Sequence, residues 1–372
     1  MELTQKVLLE ILLHNSISTL LGGETYNEAL YRMATPLRFI AIDELGRWAV
    51  QIVPQSIQKT AMKPTQFWKN FKLGEEVSIS GTFIYNGMRR FHEMRKLDYM
   101  DEVFEVLYNL SVGFERLLKV AVVLLEHDNA LDHDQLEKSL KTHNHLELLR
   151  RLKKHVQVNL TSPHNDLLSL LGTFYKSMRY DRFSLSSAYD SKREMKALCE
   201  LLSKHLNVDI RRNTPLLGTE NDDRYRQFIQ RTVLHISKTL YEIVEKRARA
   251  LNLYTYELRS GSKAGTVFLR KVDISDEDVL WKELLVFFMN TKTTSGYLEF
   301  LREIPPLAFD PALVDEYLDC FQSDTAKAFI MDELEHHYEE LGEKGKRLEL
   351  MRIIGTPNIY FDSREDEEHN EP

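Results

Sequence analysis

The chain is poor in the residues that staple, hinge or redirect a backbone. Among 372 residues there are only two cysteines, Cys199 and Cys320, far apart in sequence. That excludes both a disulfide framework and a cysteine-rich metal cluster. Glycine (15) and proline (10) are both scarce, which argues against a turn-rich, all-β architecture. A net charge of −8 gives no general attraction to polyanions, so nucleic-acid binding would require a local basic patch. No run reaches the roughly 18 uncharged apolar residues of a membrane span. In the opening "MELTQKVLLEILLHNSISTLL", Lys6, Glu10 and His14 interrupt the apolar pattern, and the run reads as a core helix. With no secretory leader in view and few cysteines, a reducing, cytoplasmic location without membrane attachment is expected. Missing too are the Gly-x-Ser-x-Gly elbow, the His-Glu-x-x-His helix, the phosphate-binding P-loop and the dinucleotide glycine fingerprint.

What is present is helical periodicity supported by 43% hydrophobic and 28% charged residues, enough for a sizeable core. Residues 1–97 read as an N-terminal helical extension. Within it, Gly22-Gly23 ends the first helix, Pro64 starts another, and Val77 and Ile79 form a brief β-like alternation. Residues 98–206 read as a bundle of at least four helices with short connections. Its first member, "YNLSVGFERLLKVAVVLLEH", is apolar nearly all round, as a helix enclosed by neighbours must be. Glu115 and Lys119 are spaced to pair on one face, leaving Arg116 to anchor a partner subunit. In "HNHLELLRRLKKHV", Leu146, Leu148, Leu149 and Leu152 are expected to face inward and the basic residues from Arg150 to Lys154 outward. Ser162-Pro163 opens a third helix, and "SAYDSKREMKALCELLSKHL" supplies a fourth. Residues 207–223 read as a linker and 224–361 as a C-terminal helical region. A β-hairpin is expected near 254–272, with Ser260 to Gly265 as its tip. The acidic "DSREDEEHNEP", 362–372, reads as disordered.

Three local patterns stand in order: Gly113, Glu115 and Lys119; His143 and His145; then Tyr175, Arg179 and Tyr180. Over about 100 residues this order resembles the HEPN superfamily of small helical bundles. The resemblance implies RNA or nucleotide handling, homodimerisation, no cofactor and no metal. It is compatible with metal-independent endoribonuclease activity and with antiviral defence or toxin–antitoxin systems of prokaryotes, whose partners are encoded nearby. The nuclease hallmark, arginine followed four to six residues later by histidine, is absent after Arg179 and Arg182. It occurs at Arg150–His155 and at Arg364–His369, the latter in the acidic tail. The "YKSMRYDRF" step is closer to the Arg-Tyr branch lacking nuclease residues, a branch associated with nucleotide binding or adaptor roles.

The expected catalytic set, if the chain cleaves, is Arg150 or Arg179 for phosphate and His155 for proton transfer. The expected binding set is Tyr175, Lys176, Arg179, Tyr180 and Arg182, which combines cations with stacking surfaces. A non-catalytic helical adaptor that binds a protein is the alternative. Three further patterns take structural readings: His143-Asn144-His145 as a helix cap, Glu333-x-x-His336 as half of a metal motif without its mate, and "MRRFHEMRK" as a solvated face.

Overall fold

Small residues set the first contact of the fold. A computed structural model describes residues 64–127, 133–187, 192–210, 218–253, 261–270, 274–293, 295–321 and 324–356, with positions 189, 258 and 359. The expected helix at the N-terminus and the acidic tail lie outside these residues. Helix α1, Leu73–Glu93, runs antiparallel to α2, Met100–Glu126. Ser80 Oγ donates to the Gly113 carbonyl at 2.9 Å. A Cβ placed on Gly113 would lie 2.6 Å from Ile84 Cγ1 and 3.0 Å from its backbone nitrogen. One placed on Gly87 would lie 2.7 Å from Leu110 Cγ. The axes therefore approach closer than side chains would allow. The brief β-like alternation is absorbed: Val77 is buried and Ile79 exposed on one continuous helix.

Helix α2 is the central rod, with Leu107, Leu110, Phe114, Leu117, Leu118 and Ala121 at 0–1% exposure. Such sites contribute about 1.5–3 kcal/mol for each large side chain fully withdrawn from water. Around it pack α3, His145–Lys153, and α4, Ser162–Thr173. Asn144 caps α3 by accepting from the Glu147 amide at 3.1 Å, and Leu148, Leu149 and Leu152 are buried while Leu146 is only partly so. Thr161 and His164 close the start of α4 reciprocally, with Pro163 in its first turn. A wide helical turn, Phe174–Met178, carries α4 onward into Arg179–Asp181. Helix α5, Arg193–Leu206, and the long α6, Asp223–Ala250, complete the wall. The buried stripe of α6 is Ile229, Val233, Ile236, Leu240 and Val244, spaced by three and four as helical packing demands.

The described part of 207–223 is tied to the α1–α2 corner. Leu97 N donates to the Thr219 carbonyl at 2.8 Å, and the Asn221 amide group donates to the Phe91 and Met94 carbonyls at 2.7 and 3.0 Å. Lys96 and Glu220 form a single antiparallel bridge there. One hydrophobic core thus runs from Leu73 to Ile274, past both ends of 98–206.

The expected hairpin is corrected where it can be seen. Lys263–Phe268 is a short helix, α7, capped by Ser262, whose hydroxyl accepts from Gly265 N at 2.8 Å. The rest of both arms lies largely outside the described residues. Small side chains decide the matter: Ala264 is so close to α1 that a Cβ on Gly81 would meet its Cα at 2.5 Å, while Val267 and Phe268 are buried.

Beyond α7 the character changes. Helix α8, Ile274–Asn290, buries only Ile274, and α9, Gly296–Glu303, and α11, Lys344–Ile353, bury nothing; the longest of the helices between those last two, α10, spans Asp324–Glu340. Helix α8 meets α1 through polar groups: Tyr85 Oη donates to Glu277 at 2.5 Å, Arg89 to Asp278 at 2.7 Å, and His92 lies 2.7 Å from Asp278. The described chain is mainly α-helical, and none of its helices is long and apolar enough to cross a membrane.

Candidate functional site

The three patterns singled out in the sequence meet on one side of α2. Glu115 is 7% exposed and would be costly to bury alone. Lys119, one turn later, donates to its Oε1 at 2.6 Å, as the spacing predicts. The other carboxylate oxygen lies 2.9 Å from Nδ1 of His143, just ahead of α3. With Nδ1–H donating to that carboxylate, the imidazole is oriented. The sequence did not disclose this dyad, because its members are 28 residues apart and only the fold joins them.

His143 also sits edge-on to Tyr175, with ring centroids 4.9 Å apart. Tyr175 belongs to the wide turn that extends α4. Across its face lies Arg179, whose guanidinium carbon is 3.8 Å from the Tyr175 centroid and 4.4 Å from that of Tyr180. Two hydrogen bonds fix this arginine: Nε to the Tyr175 carbonyl at 2.8 Å, and Nη2 to Tyr180 Oη at 2.7 Å. Burial pushes the Tyr175 phenol above its usual value, and the charge of Arg179 opposes that shift. Lys176, next along, is exposed and meets no carboxylate among the described residues. A wide turn inserted in a helix is common at functional positions, since it re-aims the side chains that follow.

Not every predicted cation is available. Arg182 donates to the buried Glu194 at 2.8 Å while lying 5.2 Å over the Phe104 ring. Arg116, expected to anchor a partner subunit, instead pairs with Glu76 of its own chain. The Arg150–His155 pair occupies another region. Arg150 is exposed, and His155 Nε2 lies 3.6 Å from Glu126 Oε1. Arg151 holds the same carboxylate through Nε at 3.0 Å and through a second, shorter contact. Chiefly because of these bonds, Glu126 stays ionised to lower pH than an ordinary glutamate. Glu126 follows Glu115 by eleven residues on α2, roughly 16 Å along the axis at 1.5 Å per residue. Within one chain, therefore, His155 and Arg179 are not brought to one point, whereas His143 and Arg179 flank the same tyrosine.

His145 lies beneath this surface. It is 0% exposed, with Nε2 2.8 Å from the Ser111 carbonyl. It braces α3 against α2 and takes no part in the exposed patch. Among the described residues, no group of three or more histidines, cysteines or carboxylates could hold a metal ion. Comparison with known proteins gives no relative: no protein-family model, no curated protein and no solved structure matches this chain.

Proposed function

We propose that this chain binds RNA or a nucleotide as a HEPN-like helical protein, through Tyr175, Lys176, Arg179 and Tyr180. One observation carries this reading: a guanidinium locked between two tyrosine rings on an exposed helix end, beside a lysine that has no acidic partner among the described residues. Phosphate suits the N–H edge of such an arginine, and a base suits the exposed ring of Tyr180. The Glu115–His143 dyad beside it adds an oriented imidazole. Should the chain cleave RNA, that dyad is better placed than His155 to serve Arg179. Homodimerisation and a role in a prokaryotic defence system belong to the same proposal and rest on the family resemblance.

The adaptor reading has its own support. Helix α8 exposes Leu280, Leu284, Phe287 and Phe288 at 45–60%, and exposed apolar surface gathered on one helix is a mark of protein–protein contact sites.

Fluorescence anisotropy with labelled RNA and with a labelled nucleoside monophosphate tests the proposal. Arg179→Ala is expected to weaken binding of both at least ten-fold, since a charge-assisted hydrogen bond contributes about 1.5–3 kcal/mol. Arg179→Lys is expected to recover little, because the ammonium cannot lie flat between the rings. Wild-type chain that binds neither probe sinks the proposal and leaves the adaptor reading. Incubation with total RNA in chelator, comparing His143→Ala with His155→Ala, tests cleavage separately.

A further inference from the structure

The Arg179 cluster belongs to a longer seam. Arg182 lies over Phe104, Phe104 stacks on Tyr108 at 6.3 Å, Tyr108 meets Tyr175 at 6.1 Å, and Tyr175 carries Arg179 and then Tyr180. Four rings and two cations thus form a continuous line of contacts, with Tyr108 36% and Tyr180 58% exposed. Directly after Tyr180, a tight turn closes with Phe183 N donating to the Tyr180 carbonyl at 3.0 Å. Within the nine positions after Tyr180 come Phe183, Leu185 and Tyr189, exposed by 90, 95 and 100%. Two ion pairs clamp the base of this segment: Asp181–Arg193 at 2.5 Å and Arg182–Glu194 at 2.8 Å.

Singly exposed aromatics are ordinary. A run of them at the end of a π–cation seam, on a loop stapled at its base, is not explained by packing, because the core takes nothing from them. Rings so presented offer flat faces to flat partners. The bases of an A-form duplex are stacked and hide their faces, whereas unpaired bases can splay and stack on aromatic side chains.

We infer that the seam from Phe104 through Tyr180, continued by Phe183 and Tyr189, is a stacking platform for single-stranded RNA several nucleotides long. This rests on the proposed function and deepens it, since a mononucleotide would occupy only the Arg179 end. Electrostatics refine the expectation. Arg182 and Arg193 are committed to Glu194 and Asp181, which leaves Lys176 and Arg179 to face phosphate. Binding is then dominated by stacking and only weakly dependent on salt. At about −0.7 per phosphate for single strands, two contacts give a slope of log K against log salt near −1.4.

The test uses the full chain with four probes: a fluorescein-labelled ten-residue oligouridylate, an RNA duplex of the same length, uridine monophosphate, and phosphatidylserine-containing vesicles. The single strand is expected to bind at least ten-fold tighter than the duplex or the monophosphate, with the shallow salt slope above. The double substitution Phe183→Ala and Tyr189→Ala removes only exposed side chains. It is expected to weaken the single strand about ten-fold or more, while the monophosphate affinity and the circular dichroism spectrum stay unchanged. Equal affinity for duplex, a slope several times steeper, or indifference to the double substitution overturns the inference. So does vesicle binding that the double substitution abolishes while RNA binding persists. If the monophosphate binds and responds to Arg179→Ala without any preference for the strand, the platform falls and the proposed function stands. If no nucleic-acid probe binds, both fall.

Discussion

Leucine in place of Gly113 is expected to prevent the bundle from closing. Even a methyl group at that position meets the Ile84 side chain at 2.6 Å, and meets the Ile84 nitrogen and the Ser80 carbonyl oxygen at 3.0 Å. Ile84 Cγ1 can rotate aside, but the two backbone atoms move only if α1 and α2 separate. Alanine gains about 0.5–1 kcal/mol of helical preference over glycine and pays about 1–3 kcal/mol of overpacking, for a net loss of order 1 kcal/mol. Leucine adds three more carbons to a space that does not exist, and it breaks the 2.9 Å bond from Ser80 to the Gly113 carbonyl. Circular dichroism melts should show a small drop in Tm for Gly113→Ala, and for Gly113→Leu either no cooperative transition or a drop of ten degrees or more. A Gly113→Leu chain that melts like wild type would mean that the helices do not touch there.

Acid is expected to weaken the fold well above the range where carboxylates titrate. His145 is fully enclosed, and burial holds its pKa below the ordinary 6.5, outweighing the hydrogen bond to Ser111 and the field of Glu115. His164 shifts the same way, through burial and then through His235. For a base with a depressed folded pKa, the unfolded chain binds more protons below 6.5. Stability is therefore complete above about pH 6.5 and declines as pH falls, by up to ~1.4 kcal/mol per pH unit for the enclosed His145 and by less for the more exposed His164. Glu126 and Asp166 shift downward with their partners Arg151 and Lys204. Their contributions are present above the unfolded values of 4.5 and 3.8 and are lost below them, so they add a second, more acidic limb. Denaturant titrations at pH 7.5, 6.5 and 5.5 should show the first limb. His145→Gln, which keeps a donor for Ser111, should flatten it. An unchanged slope in that variant would show that His145 is not its source.

The two predictions differ in how far the sequence foretold them. The apolar run of α2, the Glu115–Lys119 spacing, the Asn144 cap and the Ser162-Pro163 start are local signals, and each is read over a few residues. They place helices and one ion pair correctly. The close approach of α1 to α2 was hidden, and Val77 and Ile79 read only as a brief β-like alternation, because the contact joins Ser80 to Gly113, 33 residues away. The Glu115–His143 dyad and the Arg116–Glu76 pair were equally hidden, since side chains choose partners in space. The part of the hairpin reading that falls on Lys263–Phe268 failed for a related reason. Aromatic and β-branched residues near Ser260 to Gly265 favour strands, but Ala264 is small enough to nest a helical turn against Gly81, and that packing outweighs local preference. Of the candidate site, Tyr175, Arg179 and Tyr180 were singled out through the family resemblance, and Lys176, Arg179 and Arg182 by helical spacing. That Arg182 is spent on Glu194, and that His155 serves Glu126, required the fold.

The junction between α1 and α8 has a consequence of its own. Tyr85, Arg89 and His92 grip Glu277 and Asp278 across it, while the greasy residues of α8 remain uncovered. A fastening of this kind answers to a different solvent variable from the core. Cooling or mild organic cosolvent loosens oil-like contacts and leaves charge pairs largely intact, whereas salt screens the charges and tightens the oil. Ionic strength thus becomes a dial on how the far helices are presented, acting through this junction as well as on the ion pairs of the bundle.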